Sequence, residues 1–147
     1  MADLEPWFID ANVPMYAAGA PSEYKAACIA ILEAAASGKI VAVTDAEVIQ
    51  EIAYRYWHIG KLAEALEIAR DFAAAIPRVL PVDVQDAMAM LELLAAHPQL
   101  TPRDALHCAV MKRHGISRII TADRHFTTIP DIVCMDPRTF ASQMKIK

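Results

Sequence analysis

The stretch Trp7-Phe8-Ile9-Asp10-Ala11-Asn12 decides how the chain folds. Three large apolar residues in a row are typical of a short strand that is buried on both faces. The run ends at an acid, and Asn12 followed by Pro14 is the pattern of a helix start, so we predict Asn12 as a helix N-cap. A buried strand that leads directly into a helix is the unit from which parallel sheets are built.

Strands and helices alternate outward from this stretch. Apolar runs predict further strands at residues 40–43, 78–82, 118–121 and 132–134, and Pro81 places the strand at 78–82 near an edge of the sheet. Helical spacing predicts helices at residues 23–37, 44–58, 61–75, 83–97 and 101–114. Because hairpin signals are scarce, we predict an α/β fold: a three-layer α/β/α sandwich with a mostly parallel central sheet.

Two of these helices carry capping signals in the sequence. Thr44-Asp45-Ala46-Glu47 has the spacing of a capping box, with Thr44 as the cap and Glu47 as the reciprocating acid. Thr101-Pro102 predicts a second start, with Thr101 as N-cap and Pro102 in the first helical position. Both patterns fix where a helix begins after a strand or a loop.

Composition limits the class of protein. The 147 residues are 56% hydrophobic and 22% charged, which is enough apolar material for a core, and we expect one domain spanning residues 1–147. No apolar run approaches the roughly 18 residues of a membrane span, and the acidic start lacks the basic region of a secretory signal. Cys28, Cys108 and Cys134 are far apart among apolar residues, so we expect buried thiols and a cytoplasmic location.

The charge is unevenly distributed along the chain. Lys plus Arg number 14 against 18 Asp plus Glu, a formal net charge of −4. Residues 1–102 carry 6 basic and 14 acidic side chains, whereas residues 103–147 carry 8 basic and 4 acidic ones. This is either scatter of solvated charges or a basic rim that attracts a polyanion, and charge alone does not decide between them.

Acids follow the predicted strands. Asp10 comes directly after a strand and Asp123 two residues after another, Glu51 lies on a helix that follows a strand, and Asp104 opens a later helix. Ligands in parallel sheets bind beyond the carboxyl ends of the strands, so we expect these acids to meet there. Crowded carboxylates repel one another unless a cation joins them, and oxygen ligands favour Mg²⁺ or Mn²⁺ over zinc.

Each acid also has a structural alternative that the sequence leaves open. Asp10 can cap the helix that follows it, and Asp123 can stabilise a turn. Glu51 can pair with Arg55 one helical turn later. Asp104 can reciprocate the Thr101 cap. His107, on the same helix, is most simply a satisfied histidine that is partly buried.

Four motifs in order resemble those of PIN-domain ribonucleases. The first is Phe8-Ile9-Asp10-Ala11-Asn12-Val13, and the second is Val43–Glu51, whose acid is Glu51. The third is Thr101–His107, with Asp104 as its acid, and the fourth is Ile120–Phe126, with Asp123. Met135-Asp136-Pro137 is similar to the family's closing strand and turn. The resemblance covers nearly the whole chain, and the subgroup it matches best is the VapC-like toxins.

The resemblance implies a metal-dependent endoribonuclease. Its catalytic and metal-binding acids are expected to be Asp10, Glu51, Asp104 and Asp123, with Mg²⁺ or Mn²⁺ as cofactor. It also implies Asn12 and Thr121 as supporting residues, a homodimer, an RNA substrate and a cognate antitoxin protein. The chain departs from the family pattern at Ala122, where Asn is frequent, which puts side-chain support from that position in doubt.

The implied reaction is attack of a metal-activated water on an RNA phosphodiester. A cation in the first turn of a helix opposes the helix dipole, so Arg103 is better explained as a phosphate contact. We predict Arg103 and Arg124 as contacts to the RNA backbone, with Lys112 or Arg113 as further candidates.

Other classes of protein fit the sequence less well. A haloacid-dehalogenase-type phosphatase needs a second Asp two residues after Asp10, where this chain has Asn12, and a receiver domain needs a Lys after a late strand. A binding module that keeps the acidic site but acts only through a protein partner remains the alternative. Tight partner binding without cleavage of any RNA would distinguish it from a nuclease.

Overall fold

The computed structural model describes residues 3–144 and contains a five-stranded sheet in which all four strand pairings are parallel. The spatial order is β3-β2-β1-β4-β5. The strands are β1 (Trp7–Ile9), β2 (Ala42–Asp45), β3 (Arg78–Leu80), β4 (Arg118–Ile120) and β5 (Val133–Met135). The predicted fold class is therefore confirmed, and β3 lies at an edge as Pro81 indicated.

Seven α-helices of the described part connect and cover these strands. They are α1 (Asn12–Ala18), α2 (Lys25–Ala36), α3 (Ala46–His58), α4 (Leu62–Ala75), α5 (Val84–Ala96), α6 (Pro102–Arg113) and α7 (Pro137–Gln143). The helices pack in pairs, α1 with α2, α3 with α4, and α5 with α6, while α7 packs on α2. Every residue of β1 and β2 is buried, as expected for central strands covered on both faces.

The strand register brings three chain segments to one edge of the sheet. Phe8 of β1 lies between Val43 of β2 and Ile119 of β4. Just beyond β1, the Asp10 amide donates to the Ile120 carbonyl at 3.2 Å. The residues that follow β1, β2 and β4 therefore emerge side by side, which is the placement that positions the site.

Two predicted helix caps are wrong. Asn12 is the first residue of α1 rather than its cap, because Ala11 occupies the N-cap position and the Asn12 amide is engaged elsewhere. The capping box at Thr44 does not form, since strand β2 continues to Asp45 and the Thr44 hydroxyl donates to the Ile9 carbonyl at 2.9 Å. Asp45 caps α3 instead, accepting from the Val48 amide at 2.9 Å.

The predicted cap at the start of α6 is confirmed. Thr101 accepts from the Asp104 amide at 3.1 Å, and Pro102 stands in the first turn. Two elements were not predicted: a 3-10 turn at Arg124–Thr128 and helix α7. The signal for α7 was present, because Asp136-Pro137 combines a capping acid with a proline in the first helical position.

Two further features bear on the sequence-based expectations. Cys28 and Cys108 are buried and Cys134 is partly buried, and all three are free thiols. Within residues 3–144, no helix combines the length and the apolar character that crossing a bilayer requires.

Candidate active site

The four acids selected from the sequence line one cleft. The cleft has a volume of about 850 Å³, and Asp10, Glu51, Asp104 and Asp123 all contribute to its wall. They come from the ends of β1 and β4 and from helices α3 and α6, so only the folded chain brings them together. Asp10, Glu51 and Asp104 are buried and Asp123 is partly exposed.

Asp10 is held by hydrogen bonds on both carboxylate oxygens. Its Oδ1 accepts from the Ala11 amide at 2.8 Å. Its Oδ2 accepts from the Thr121 hydroxyl at 2.7 Å and, at 3.4 Å, from the Asn12 amide nitrogen. These contacts fix the carboxylate at the edge of the sheet.

Asn12 and Thr121 link the first motif to the fourth. Asn12 Nδ2 donates to Thr121 Oγ1 at 2.8 Å, and Asn12 Oδ1 accepts from the Ala122 amide at 3.1 Å. Thr121 Oγ1 also accepts from the Asp123 amide at 3.0 Å. The chain therefore engages position 122 through its backbone, which needs no particular side chain there.

Asp104 and Asp123 lie close together in the cleft, with His125 beside them. His125 Nδ1 lies 3.1 Å from Asp123 Oδ1 and 3.7 Å from Asp104 Oδ2. Asp123 Oδ1 also accepts from the His125 amide at 2.9 Å, which is the turn contact that the sequence left open. His125 was not predicted as part of the site, although it follows Asp123 by only two residues.

Glu51 is contacted from two sides. Its Oε2 pairs with Arg55 at 3.1 Å, the helical ion pair that the sequence allowed. Its Oε1 faces His107 Nε2 at 3.4 Å. Glu51 therefore both forms the helical ion pair with Arg55 and lines the cleft.

His107 joins Glu51 to a further acid that sequence reasoning did not use. His107 Nδ1 lies 2.7 Å from Asp45 Oδ2, and both side chains are completely buried. The sequence predicts Asp45 only as part of a helix start, because nothing in it distinguishes Asp45 from a solvated acid. A buried histidine is expected to have a hydrogen-bond partner, but the sequence does not indicate which residue that partner is.

The pKa values of these groups follow from burial and from the charge around each. Burial, reinforced by the charge of Glu51, raises the pKa of Asp10 to about 6, despite the nearby His107 and the bond from Thr121. Burial and the charge of Asp123 raise the pKa of Asp104.

The Glu51–His107 contact favours the charged form of each side chain: it lowers the pKa of Glu51 and raises that of His107. Burial opposes ionisation of Glu51, but the hydrogen bond and the charge of His107 outweigh it, so the pKa of Glu51 lies below its usual value. Burial likewise opposes protonation of His107, yet its bonds to Asp45 and Glu51 raise its pKa to about 10. The two carboxylates beside the ring therefore favour the protonated form of His107.

The basic residues divide between the cleft and other surfaces. Arg103 lines the cleft, lies 3.4 Å from Glu47 Oε1 and stands over the Tyr54 ring. Glu47 thus pairs with Arg103 and does not reciprocate a helix cap. Arg124 is exposed at the start of the 3-10 turn, directly after Asp123.

Arg113 is engaged away from the cleft. Its guanidinium donates two hydrogen bonds to the buried Asp86, at 2.7 and 2.8 Å, and so joins α6 to α5. It is therefore no longer a candidate for an RNA contact at the cleft.

The donor atoms in the cleft fit a hard divalent cation. Ligand atoms of Asp10, Glu51 and His107 lie within 4.8 Å of one another, as do those of Asp104, Asp123 and His125. Carboxylate oxygens predominate in both groups, which suits Mg²⁺ or Mn²⁺. Burial raises the pKa of Asp10, so a cation bound beside this carboxylate would favour its charged form.

Comparisons with known proteins identify the family. The sequence profile of the PIN domain family matches residues 7–132. A VapC ribonuclease of Mycobacterium bovis is 42% identical over 125 residues, covering 84% of this chain and 95% of the relative. Ribonuclease VapC23 of Mycobacterium tuberculosis is 34% identical over 116 residues, covering 79% of this chain and 91% of the relative. The chain therefore belongs to the PIN domain family. Within it, these relatives place the chain among the VapC ribonucleases.

Solved structures share the fold. VapBC2 of Rickettsia felis, bound to a DNA fragment from its promoter, matches with a TM-score of 0.69 at 15% identity, over 89% of this chain and 98% of that chain. VapC20 of Mycobacterium tuberculosis, a toxin that cleaves the sarcin-ricin loop, matches with a TM-score of 0.67 at 20% identity, over 82% of this chain and 92% of that chain. The expected PIN-like fold is confirmed.

Proposed function

We propose that this protein is a metal-dependent endoribonuclease and the toxin of a toxin–antitoxin pair. The observation that carries the proposal is the meeting of Asp10, Glu51, Asp104 and Asp123 in one cleft, from four separate segments of the chain. Its curated relatives bear the name ribonuclease. We propose this function for a single domain spanning residues 1–147.

The four carboxylates are the proposed catalytic residues and metal ligands, and Mg²⁺ or Mn²⁺ the proposed cofactor. When bound, such an ion lowers the pKa of a water molecule and neutralises charge on a phosphate. Asp10 and Asp104 have raised pKa values without it, so they gain a counter-charge on binding. Asp10 is presented in one orientation by Thr121 and Asn12.

The chain's remaining groups orient the RNA. Arg103 lies in the cleft wall and Arg124 at the exposed turn beside Asp123, so both can meet phosphates of a strand that crosses the acids. Attack by water on the phosphodiester breaks the bond to the leaving 3′ oxygen. The products then carry a 5′-phosphate and a 3′-hydroxyl, and the RNA 2′-hydroxyl takes no part.

The proposed partners follow from the solved relatives. One of them is a toxin–antitoxin complex from Klebsiella pneumoniae, and another is VapBC from Salmonella typhimurium bound to DNA. We extend this to a cognate antitoxin that covers the cleft and to a homodimer of this chain. Because RNA and a newly made antitoxin meet in the cytoplasm, the protein belongs there.

The test is cleavage of a defined RNA by the purified protein. Wild type is expected to cleave with Mg²⁺ or Mn²⁺ and to stop with EDTA, whereas Asp10→Ala and Asp104→Ala lose at least about 100-fold in rate. Asp71→Asn on α4 is the matched control, because Asp71 is exposed, and it is expected to cleave as wild type does.

Two outcomes would contradict the proposal. Full activity of the alanine variants would remove the acids from the mechanism. Tight binding of a protein partner, with no cleavage of any RNA at high protein concentration, would favour the silent binding module instead.

A further inference from the structure

Three side chains form a continuous buried row that runs inward from the cleft wall. Glu51 lies in the cleft wall, His107 lies behind it, and Asp45 lies behind His107. The contacts are 3.4 Å from Glu51 Oε1 to His107 Nε2 and 2.7 Å from His107 Nδ1 to Asp45 Oδ2. We propose that His107, anchored by Asp45, is a positioning residue that sets the orientation of the Glu51 carboxylate for cation binding. This inference rests on the proposed function of the cleft.

Asp45 supplies a fixed anchor. It is the last residue of β2, where it pairs with Leu80 of β3, and its Oδ1 accepts from the Val48 amide as the cap of α3. Its backbone and one carboxylate oxygen are therefore committed to the fold. The other oxygen is left for His107, whose ring is held between two acids and packs 5.4 Å from the Phe8 ring.

The two partners of Glu51 differ in mobility. Arg55 contacts Oε2, but its side chain is 55% exposed, so it can move away when a cation or a phosphate enters the cleft. His107 is 0% exposed and is held on its other side by Asp45 at 2.7 Å. The enclosed contact is thus the one that persists and defines the orientation of the carboxylate.

A purely structural role explains the row less well. Burying ionisable groups costs free energy even when they are paired, and apolar residues of similar volume usually stabilise a fold as well or better. A direct ligand role for His107 also fits less well, because Nδ1 is occupied by Asp45 and Nε2 points at a Glu51 oxygen. A positioning role agrees with both contacts of the ring, because Nδ1 is held by Asp45 and Nε2 contacts the Glu51 carboxylate.

The test measures Mn²⁺ affinity by electron paramagnetic resonance on the full chain. His107→Leu removes the donor, His107→Gln keeps an N–H near Glu51, and His114→Gln at the other end of α6 is the matched control. We expect His107→Leu to weaken Mn²⁺ binding about 10- to 100-fold and His107→Gln to recover most of that loss. At saturating metal, kcat for RNA falls in His107→Leu while KM stays unchanged, and His114→Gln behaves as wild type.

Asp45→Asn provides a second route if His107→Leu fails to fold. It keeps an oxygen for the cap of α3 and leaves the histidine in place, so we expect a loss of about tenfold in Mn²⁺ affinity with a folded chain. Unchanged affinity in this variant or in folded His107→Leu would overturn the proposal, as would equal affinities of the Leu and Gln variants.

Pulsed electron paramagnetic resonance separates positioning from ligation. We expect the spectrum of bound Mn²⁺ to show no nitrogen coupling that comes from His107. A nitrogen coupling present in wild type and lost in His107→Gln would make His107 a ligand and would overturn the proposal. Asp10→Asn distinguishes the two levels of inference. If it leaves Mn²⁺ affinity unchanged, the proposed function fails; if it weakens binding while folded His107→Leu does not, only the role of His107 fails.

Discussion

The Thr121 hydroxyl donates a 2.7 Å hydrogen bond to Asp10 Oδ2, across 111 positions of sequence. The Thr121 hydroxyl oxygen also accepts hydrogen bonds from Asn12 Nδ2 and from the Asp123 amide. Its one donor and both of its acceptor sites are therefore used. Thr121 thereby fixes Asp10 relative to the loop that carries Asp123. Two acids from opposite ends of the chain are held in register by one side chain.

Replacing Thr121 tests this arrangement. Thr121→Val keeps the shape but removes the hydroxyl, and we expect RNA cleavage to fall about 10- to 100-fold because the orientation of Asp10 is lost. Thr121→Ser retains the hydroxyl and should keep most of the activity. Equal rates for the Val and Ser variants, measured at saturating metal, would remove Thr121 from the site.

The raised pKa of Asp10 predicts that its carboxylate, a proposed metal ligand, destabilises the folded protein when no metal is bound. Its folded pKa of about 6 lies above the ordinary value of 3.8, so the carboxylate opposes folding once it is ionised. We expect Asp10→Asn to increase the free energy of unfolding of the metal-free protein by about 2–3 kcal/mol at neutral pH.

The pH dependence supplies the control for this prediction. The difference between wild type and Asp10→Asn should be absent below the ordinary pKa, grow between about pH 4 and pH 6, and remain constant above that range. Urea unfolding in EDTA at several pH values measures it. A variant that is less stable than wild type at neutral pH would show that Asp10 is compensated without a metal.

Arg103 is predicted to contribute a phosphate contact. Arg103→Gln should raise KM for RNA and reduce the steepness of its salt dependence by about 0.7 in log–log slope, the value for one contact to a single strand. Arg70→Gln on α4 is the control, since Arg70 is exposed on a different helix. An unaltered slope in Arg103→Gln, with binding followed by fluorescence anisotropy, would exclude the contact.

The ion pair between Arg113 and Asp86 is predicted to act on stability alone. Asp86 is buried, and its hydrogen bonds from Arg113 hold its pKa below the usual value. Arg113→Leu leaves that carboxylate unpaired and should cost about 3 kcal/mol of unfolding free energy. Because the folded pKa is depressed, this contribution is present above the ordinary pKa of Asp86 and is lost as the pH falls through the folded value.

Urea unfolding of Arg113→Leu at neutral and acidic pH measures this contribution. RNA affinity of the folded variant should match wild type. A reduced salt slope in Arg113→Leu would instead return Arg113 to the RNA interface.

Sequence patterns predicted the sheet and the location of the acids because both depend on local rules. Apolar runs that end in acids mark the carboxyl ends of parallel strands, and those ends must share one edge. The errors lie where tertiary contacts override local preference. Asn12 is an excellent cap by composition, but its amide contacts Thr121, more than a hundred residues away.

Buried polar partners could not be read from the sequence. Asp45 and His107 are separated by 62 positions, and neither carries a local signal of burial beyond its apolar neighbours. His107 was expected to be a satisfied, partly buried histidine; it is satisfied but fully buried, and its partners, Asp45 and Glu51, lie on β2 and α3, far from α6 in sequence. Such pairings follow from the three-dimensional arrangement and not from spacing along the chain.

The position of a bound cation tests the central claim most directly. Crystals of the protein grown with Mn²⁺ and measured at the manganese absorption edge are expected to give an anomalous peak within about 2.0–2.3 Å of carboxylate oxygens that include Asp10. The peak should be lost in Asp10→Asn. A manganese ion bound only outside the cleft, or a cleft without density at saturating Mn²⁺, would contradict the account.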